Sequence, residues 1–276
     1  MPKRALWGML GTVLLASAGV SGLASAASSL DAVVQSKTLR CGVMLDSPPS
    51  GYRTADNQPD GYDVAYCNDM AKALGVKPVI VETPSPDRIP ALVSNRIDVL
   101  VASTTNSSAR GLSVAFTQPY LSVPIAVLTR KGSGIKSWDD LKGHPLGGVT
   151  GTTTEQFLKA AIEKWNAPKT GYTGYGNDND SYMALEQGKV DAILLSVPVS
   201  TLLIKSGQFP HLEMAGDAPM PPDLLSIAVK RGDFEFLNWT KLFVWNQVAS
   251  GRYKEIYNQY FAPGDAPSLS VSGVNY

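Results

Sequence analysis

Hydrophobic and polar positions along this chain form alternating strand-like and helix-like segments. The first half predicts a strand over residues 38–44, a helix over 64–74, a strand over Lys77–Glu82, a helix over 87–95 and a strand over 98–102. The last of these, DVLVA, has no polar face, which is typical of a buried strand. This order indicates an α/β domain with a largely parallel sheet, and the Pro-rich stretch 46–59 predicts a loop.

The pattern starts again after residue 124. It predicts a strand over 125–129, a helical turn over Trp138–Leu141, a strand over Pro145–Val149, an amphipathic helix over Thr153–Trp165, a helix over 181–187 and a buried strand over 191–195. Residues 234–261 predict helices broken at Gly251. Two successive α/β patterns of this kind indicate two similar lobes.

The first 26 residues have the pattern of a secretory signal peptide. Lys3 and Arg4 form a basic start, an apolar stretch covers residues 5–20, and an A-S-A sequence ends at Ala26. A transmembrane anchor is the alternative, but Gly and Ser interrupt the apolar run and it is short for a bilayer span. We therefore expect cleavage after Ala26 and a soluble protein in the periplasm.

Composition limits the classes of partner. The 276 residues contain 24 Lys and Arg against 24 Asp and Glu, and loss of the two cations in residues 1–26 leaves 22 against 24, a net charge of −2. Nucleic acid binding needs a basic excess or stripe, so no nucleic acid partner is expected. Hydrophobic residues at 44% and charged residues at 17% are typical of a folded chain rather than a disordered one.

The two cysteines, Cys41 and Cys67, would meet an oxidising compartment after export. Two thiols within reach of each other usually form a disulfide there, so a Cys41–Cys67 disulfide is predicted, with two separately buried thiols as the alternative. His144 and His211 are isolated from each other and from both cysteines, so no metal site is predicted.

Sequence motifs of common enzymes are missing. The chain has no Walker loop, no G-x-G-x-x-G, no G-x-S-x-G and no H-E-x-x-H. Sites built from scattered carboxylates leave no motif, so this lowers the expectation of hydrolase or oxidoreductase chemistry without excluding it. No catalytic residue and no cofactor is predicted.

Polar residues follow one predicted strand in each lobe. Residues 103–110, STTNSSAR, place five hydroxyls and Arg110 after the strand 98–102, and GTTTE follows the strand Pro145–Val149. Ligands of open α/β sheets bind beyond the carboxyl ends of strands, where Arg forks and helix N-termini suit a carboxylate. Plain helix caps are the alternative in each case. One such strand end per lobe predicts an anion-binding cleft between the lobes.

Short segments spread over residues 39–261 together resemble one known family. They are GYDV at 61–64, RIPAL at 88–92, DVLVA at 98–102, STTNSSAR at 103–110, FTQPY at 116–120, DDLKG at 139–143, GTT at 151–153, GKVDA at 188–192 and GRYKEIY at 251–257. Their order and spacing resemble the periplasmic amino-acid-binding proteins of ABC importers, which are bacterial extracellular solute-binding proteins of the polar amino-acid family.

The resemblance implies an α/β, two-lobed, type II periplasmic-binding-protein-like fold that closes on its ligand. Two hinge crossovers, near 122–124 and 225–226, would divide the chain into lobe 1 (30–122 plus 225–276) and lobe 2 (123–224). A small-molecule ligand, a membrane ABC permease and a monomeric state are the partners and assembly that it implies.

The family pattern also implies roles for individual residues. Arg110 would clamp the α-carboxylate of the ligand, with Thr105 assisting, and the hydroxyls and backbone of Thr152 and Thr153 would add further donors. The carbonyl of Ser103 would accept from the α-ammonium group.

Three positions depart from the family pattern. Ser196 stands where the family holds the ammonium group with an Asp, so either the ligand lacks a free α-amino group or another acid, Asp178 or Asp180, takes that role. Ser50 stands where the family commonly has an aromatic residue after the Pro pair, so Tyr52 would either stack on the ligand in its place or simply pack in its loop. Arg88 would either bind a second acidic group of the ligand or lie on the surface as an ordinary cation of its helix.

The function expected from these observations is capture of a small carboxylate-bearing solute, an amino acid or a derivative, for import. Binding of an organic acid without an α-amino group is one alternative. A periplasmic enzyme on the same scaffold, similar to cyclohexadienyl dehydratase, is another, but it needs a general acid in the cleft and the sequence places none there clearly. A sensory input module is a third.

Overall fold

The computed structural model describes residues 28–261, 266, 267 and 269. The predicted signal peptide, residues 1–26, lies outside these described residues. Within them, no helix combines the length and the apolar character needed to cross a membrane.

Strands and helices follow one another along the described chain. The strands are β1 (Thr38–Val43), β2 (Asp46–Ser47), β3 (Gly51–Arg53), β4 (Pro59–Asp60), β5 (Lys77–Glu82), β6 (Val99–Leu100), β7 (Val114–Val123), β8 (Ile125–Arg130), β9 (Pro145–Val149), β10 (Gly171–Tyr175), β11 (Ala192–Ser196), β12 (Leu212–Asp217) and β13 (Asp223–Lys230). The helices are α1 (Ser29–Ser36), α2 (Tyr62–Leu74), α3 (Arg88–Val93), α4 (Ser108–Gly111), α5 (Thr153–Trp165), α6 (Asp178–Glu186), α7 (Val197–Ser206), α8 (Phe234–Ala249) and α9 (Arg252–Tyr260), with 3₁₀ turns at Ser85–Asp87 and Trp138–Leu141.

The first sheet has the strand order β5-β1-β6-β13-β7 and forms the centre of the first lobe. β1 is parallel to β5 and β6, whereas β13 is antiparallel to β6 and β7. Val99 and Val101 join one buried apolar cluster and Leu100 and Ala102 join another, so successive side chains enter cores on opposite faces of the sheet. The absence of a polar face in DVLVA therefore reflects burial on both sides, as predicted.

The second sheet has the order β10-β9-β11-β8-β12 and forms the centre of the second lobe. β9 is parallel to β10 and β11, and β8 is antiparallel to β11 and β12. Here too adjacent residues, such as Ile193 and Leu194, enter separate apolar clusters on opposite faces. Each lobe is therefore a mixed sheet covered by helices, and the expectation of a largely parallel sheet is wrong, because β13 and β8 run antiparallel to both of their neighbours.

The chain crosses between the two sheets twice. It passes from β7 to β8 at Pro124 and returns from β12 to β13. The predicted α/β, two-lobed fold with two crossovers is confirmed, while the lobe limits given above remain predictions.

Several elements were not predicted from the pattern of residues. β7 contains Pro119 and several polar residues, yet it pairs along most of β13. β10 (GYTGY) is an edge strand with little apolar content, and α7 is rich in β-branched residues that favour strands. The predicted loop 46–59 contains β2, β3 and the first of the two residues of β4, and these strands form a small antiparallel sheet. In each case tertiary pairing or packing outweighs local preference.

The predicted disulfide is wrong. Cys41 in β1 and Cys67 in α2 are free thiols, each completely buried in the same apolar cluster, and their sulfur atoms are not at bonding distance. Burial, together with the neighbouring Cys41, raises the pKa of the Cys67 thiol well above its ordinary value. Both side chains therefore act as small apolar residues that fill the core.

Candidate ligand-binding cleft

A polar cavity lies between the two lobes, at the carboxyl ends of the parallel strands. Its volume is about 90 Å³, far below the roughly 300–1,000 Å³ of pockets for drug-sized ligands. A cavity of this size suits a small solute rather than a drug-sized one. Its polar lining residues are Ser47, Ser50, Ser85, Arg88, Ser103, Thr105, Thr152, Thr153, Thr154, Asp178, Ser181, Ser196 and Asp223.

Arg88, at the start of α3, is a buried cation on the first-lobe side of the cavity. Only 5% of it is exposed, and its guanidinium donates to the carbonyl oxygens of Ser85, Ala102 and Ser103 at 3.2, 3.1 and 3.0 Å. A longer contact of 3.4 Å reaches the carbonyl of Gly151 in the second lobe. Burial, followed by a second nearby arginine, lowers the pKa of Arg88 to about 10. The side chain therefore remains a cation at neutral pH.

Arg110, in α4, links the two lobes. Its Nη1 donates to the carbonyl of Thr105 and its Nη2 to the carbonyl of Gly151, both at 2.7 Å. These contacts use two of the five guanidinium N–H groups, so the described residues leave donors for a further acceptor. Burial lowers the pKa of Arg110, and the nearby Asp223 carboxylate opposes that effect.

The N-terminus of α5 faces the cavity with free backbone donors. The Thr152 hydroxyl accepts from the Glu155 N–H at 3.0 Å, and the Glu155 carboxylate accepts from the Gly151 N–H at 2.7 Å, so the two side chains cap the helix reciprocally. The first N–H groups of a helix lack intrahelical acceptors. Thr153 and Thr154 line the cavity, and this end of the helix therefore suits an anion.

Ser103 is held in a left-handed conformation under the cavity by a buried acid. Its φ is 43°, its hydroxyl donates to the Asp63 carboxylate at 2.9 Å, and the Tyr120 hydroxyl donates to the same carboxylate at 2.6 Å. Burial raises the pKa of Asp63 to about 7, although both hydrogen bonds lower it. The conformation of Ser103 thus depends on a carboxylate that cannot contact solvent.

A second acid, Asp178, lines the cavity from the second lobe. It is 6% exposed, and its backbone N–H donates across the cleft to Oδ2 of Asp46 at 2.8 Å. Burial and the Asp46 charge raise the pKa of Asp178 to about 7, while the Ser47 hydroxyl and the Arg88 charge lower it. Burial also raises the pKa of Asp46.

Asp223 completes the acidic part of the cleft at the start of β13. Both of its carboxylate oxygens accept from the Thr153 hydroxyl at 3.2 Å, and that hydroxyl lies 3.4 Å from the Thr105 hydroxyl. Burial raises the pKa of Asp223, and the charge of Arg110 lowers it. Together with the contacts to Gly151 and Asp178, these bonds hold the two lobes in a closed arrangement.

Comparison with known proteins identifies the family. A model of the bacterial extracellular solute-binding proteins, family 3, matches residues 39–263. The chain belongs to this family. It is 28% identical to the ABC transporter glutamine-binding protein GlnH of Bacillus subtilis, over 93% of this chain and 95% of that protein.

Two solved structures show the same fold as this solute-binding protein. The cysteine-binding protein of Campylobacter jejuni has a TM-score of 0.78 at 27% identity, covering 88% of this chain and 97% of that one. The ancestral amino acid-binding protein AncCDT-1, a precursor of cyclohexadienyl dehydratase, has a TM-score of 0.74 at 28% identity, covering 85% of this chain and 100% of that one. The family consists mainly of binding proteins, and enzymes also occur on this scaffold.

The structure of the solute-binding protein brings most of the predicted site residues together. Those that line the cavity are Arg88, Ser103, Thr105, Thr152, Thr153 and Ser196. Arg110 lies beside the cavity, with its guanidinium on the two carbonyls described above. Their roles toward a ligand remain predictions.

Two sequence-based interpretations need correction. Arg88 does not lie on the surface, because its guanidinium is enclosed by three first-lobe carbonyls. Tyr52 does not line the cavity: it lies on β3, its hydroxyl donates to Asp60 at 3.2 Å, and it borders a separate groove with Pro48 and Leu202. Packing in its loop describes the contacts of Tyr52, and stacking on a ligand in the cavity does not.

The carboxylates of the cleft were largely missed. Asp178 was considered only as a substitute for the missing Asp at 196, and Asp180, considered with it, is exposed and bonded to Asn177. Asp63 and Asp223 were not considered for the site at all, although Asp63 lies in the GYDV segment. The sequence signal for Asp63 was an acid in the first turn of a helix that is buried. No such signal exists for Asp223, because its position depends on the return of the chain to the first sheet.

Proposed function

We propose that this solute-binding protein captures a small carboxylate-bearing solute, an amino acid or a close relative, and delivers it to an ABC permease. The observation that supports this most directly is the start of α5. Thr153 and Thr154, in the first turn of α5, line a small cavity together with the buried Arg88, and the buried Arg110 lies beside it. Helix N-termini and guanidinium groups are the donors that best recognise carboxylates. The names of the relatives, which bind glutamine and cysteine, support an amino acid.

Arg110 is the residue we assign to the carboxylate, together with Thr105, Thr152 and Thr153. Its guanidinium already lies against Gly151, directly before the α5 cap, and it has donors not used by the described residues. A carboxylate on the α5 amides would thus meet the guanidinium at the same end of the cavity. Binding there also explains why the lobes close, since Arg110 belongs to the first lobe and α5 to the second.

The test is a thermal-shift screen with amino acids and organic acids, followed by calorimetric titration of the compounds that stabilise the protein. Truncating one partner of a buried charge pair costs about 2 kcal/mol or more, so Arg110→Ala should weaken binding by at least about 30-fold. Arg96→Ala is the matched control, because Arg96 is exposed and pairs only with Asp87 at 3.3 Å. Full affinity in Arg110→Ala would contradict the assignment.

Export and assembly belong to the same proposal. We assign residues 1–26 to a signal peptide cleaved after Ala26, which leaves a monomer in the periplasm. The relative named as part of an ABC transporter supports the permease as the membrane partner. N-terminal sequencing of the secreted protein and light scattering of the purified protein test cleavage and assembly directly.

A second candidate is an enzyme on the same scaffold. One observation favours it: Asp178 lines the cavity and has a pKa of about 7, which suits a general acid. The family that the chain matches consists mainly of binding proteins, which favours binding instead. NMR of the bound solute after long incubation separates the two: unchanged solute supports binding, and conversion supports the enzyme.

A further inference from the structure

The charged side chains of the cleft do not pair with one another. Arg88 and Asp178 both line the cavity and are 5% and 6% exposed. Within the described residues, neither these two nor Arg110 and Asp223 form an ion pair. Buried charges are costly unless they are paired. Unpaired charges of both signs therefore border the same small space.

The strand order separates Asp178 from Ser196. Asp178 follows β10, the first turn of α5 follows β9, and Ser196 ends β11, and these strands are neighbours in the order β10-β9-β11. Adjacent strands lie about 4.8 Å apart, so the carboxyl ends of β10 and β11 are on the order of 10 Å apart. The amides of α5 lie between them. A compact solute with its carboxylate on those amides reaches Asp178 or Ser196 with its other end, but not both.

Two carboxylates lie on the Asp178 side of the cavity, whereas the third acid of the cleft, Asp223, lies near the start of α5 beside the Thr153 hydroxyl. Oδ2 of Asp46 accepts from the Asp178 N–H at 2.8 Å, which brings a second carboxylate across the cleft. Oδ1 of Asp46 is enclosed and accepts no hydrogen bond from the described residues. Ser196, in contrast, is neutral and directly precedes α7, so it offers a hydroxyl and no charge.

We propose that the cleft binds a compact zwitterionic solute whose ammonium group lies against Asp178, backed by Asp46, instead of against Ser196. This inference rests on the proposed function, because it concerns the same cavity. The small volume of the cavity favours an α-amino acid with a short side chain. An organic acid without an amino group would leave Asp178 without a cation.

Without an ammonium group, the Asp46–Asp178 pair takes up a proton as the pH falls through about 7. The titratable and polar groups that face the pair are Glu82 at the end of β5, Arg88 on α3, Ser47 on β2 and Tyr182 on α6. Burial and the Asp46 charge raise the pKa of Asp178 to about 7 despite the opposing charge of Arg88. Binding of an ammonium group therefore releases a proton, and binding weakens as the pH falls below about 7.

The experiment compares amino acids with their hydroxy-acid isosteres, such as L-alanine with L-lactate and L-serine with L-glycerate. In calorimetric titrations of the wild type at about pH 8, the amino acid should bind at least about tenfold more tightly, and its affinity should fall by up to about tenfold per pH unit below 7. Buffers with different ionisation enthalpies should report release of a proton near neutral pH. Asp178→Asn should lose both the preference and the pH dependence.

Asp180→Asn is the matched control, since Asp180 is an exposed acid on the same helix. Equal losses of amino-acid affinity in both variants would overturn the inference. So would hydroxy acids that bind as tightly as amino acids, or a preference for amino acids that persists in Asp178→Asn. Binding restricted to amino acids with long side chains would overturn it as well. These results would leave the proposed function standing. Failure of every amino acid and organic acid to bind would instead overturn the proposed function. If Asp178→Asn does not fold, the wild-type pH series decides, and a flat affinity overturns the inference.

Discussion

Replacing Asp63 with Asn removes a completely buried charge beneath the cleft. The Asp63 carboxylate accepts hydrogen bonds from the Tyr120 and Ser103 hydroxyls at 2.6 and 2.9 Å. The Asn amide has nearly the same shape as the carboxylate. Its oxygen accepts from one of the two hydroxyls, and its NH₂ group donates to the oxygen of the other hydroxyl. Asp63→Asn therefore changes the charge while it preserves the packing and most of the hydrogen bonding.

The size of the effect follows from the pKa of Asp63. Burial raises that pKa from 3.8 to about 7, about three pH units at about 1.4 kcal/mol each, so the ionised group costs the folded protein about 4 kcal/mol. Because the folded-state pKa is raised, the folded protein holds the proton longer than the unfolded chain does. The wild type therefore loses this stability as the pH rises from about 4 to about 7, and the loss is complete above about 7.

Urea-induced unfolding, followed by circular dichroism across that pH range, measures the effect. The free energy of unfolding of Asp63→Asn, relative to the wild type, should increase by about 4 kcal/mol between pH 4 and pH 8. The other buried acids are present in both proteins, so their contributions cancel in the difference. Asp56→Asn, on an exposed loop, should stay within about 0.5 kcal/mol of the wild type throughout. A difference for Asp63→Asn that is the same at pH 5 and pH 8 would refute the reasoning.

Two further predictions concern the cysteines and the closure of the cleft. In protein purified without reductant and unfolded in denaturant, Cys41 and Cys67 should titrate as two free thiols. In the native state neither should react with a thiol reagent, since both are completely buried. The absence of a reactive thiol after unfolding would show that a disulfide had formed. Gly151→Ala should lower solute affinity by about tenfold, because the φ of Gly151 is +81° and an added Cβ would lie 3.3 Å from the Ser85 carbonyl across the cleft. Gly132→Ala is its control, with a φ of +79° and no atom within 4 Å, and equal affinities for the two variants would count against a closed cleft at Gly151.

Much of the fold could be predicted from the sequence, because the local residue pattern and the tertiary environment agree. The helix Thr153–Trp165 and the strands Lys77–Glu82 and Pro145–Val149 have the predicted bounds, since their apolar positions match the faces that the cores cover. β7 and β10 disagree with their local sequence, because strand pairing supplies what composition does not. The state of the two cysteines was also predicted wrongly, because their spacing along the chain does not define the geometry between a strand and the helix packed on it.

The amino-acid sequence by itself determined the α/β class, the two lobes and the polar strand ends at 103–110 and 151–155, because these depend on periodicity and on residue type at the ends of strands. Only the tertiary structure decided the charge balance of the cleft. It buried Arg88 under backbone carbonyls and brought Asp46 and Asp178 together from different lobes. The pKa of a carboxylate depends on burial and on neighbouring charges, and both arise from residues far apart in the chain. The acids proposed to replace the Asp that is missing at 196 therefore meet only in the folded protein, at positions that the order of residues does not reveal.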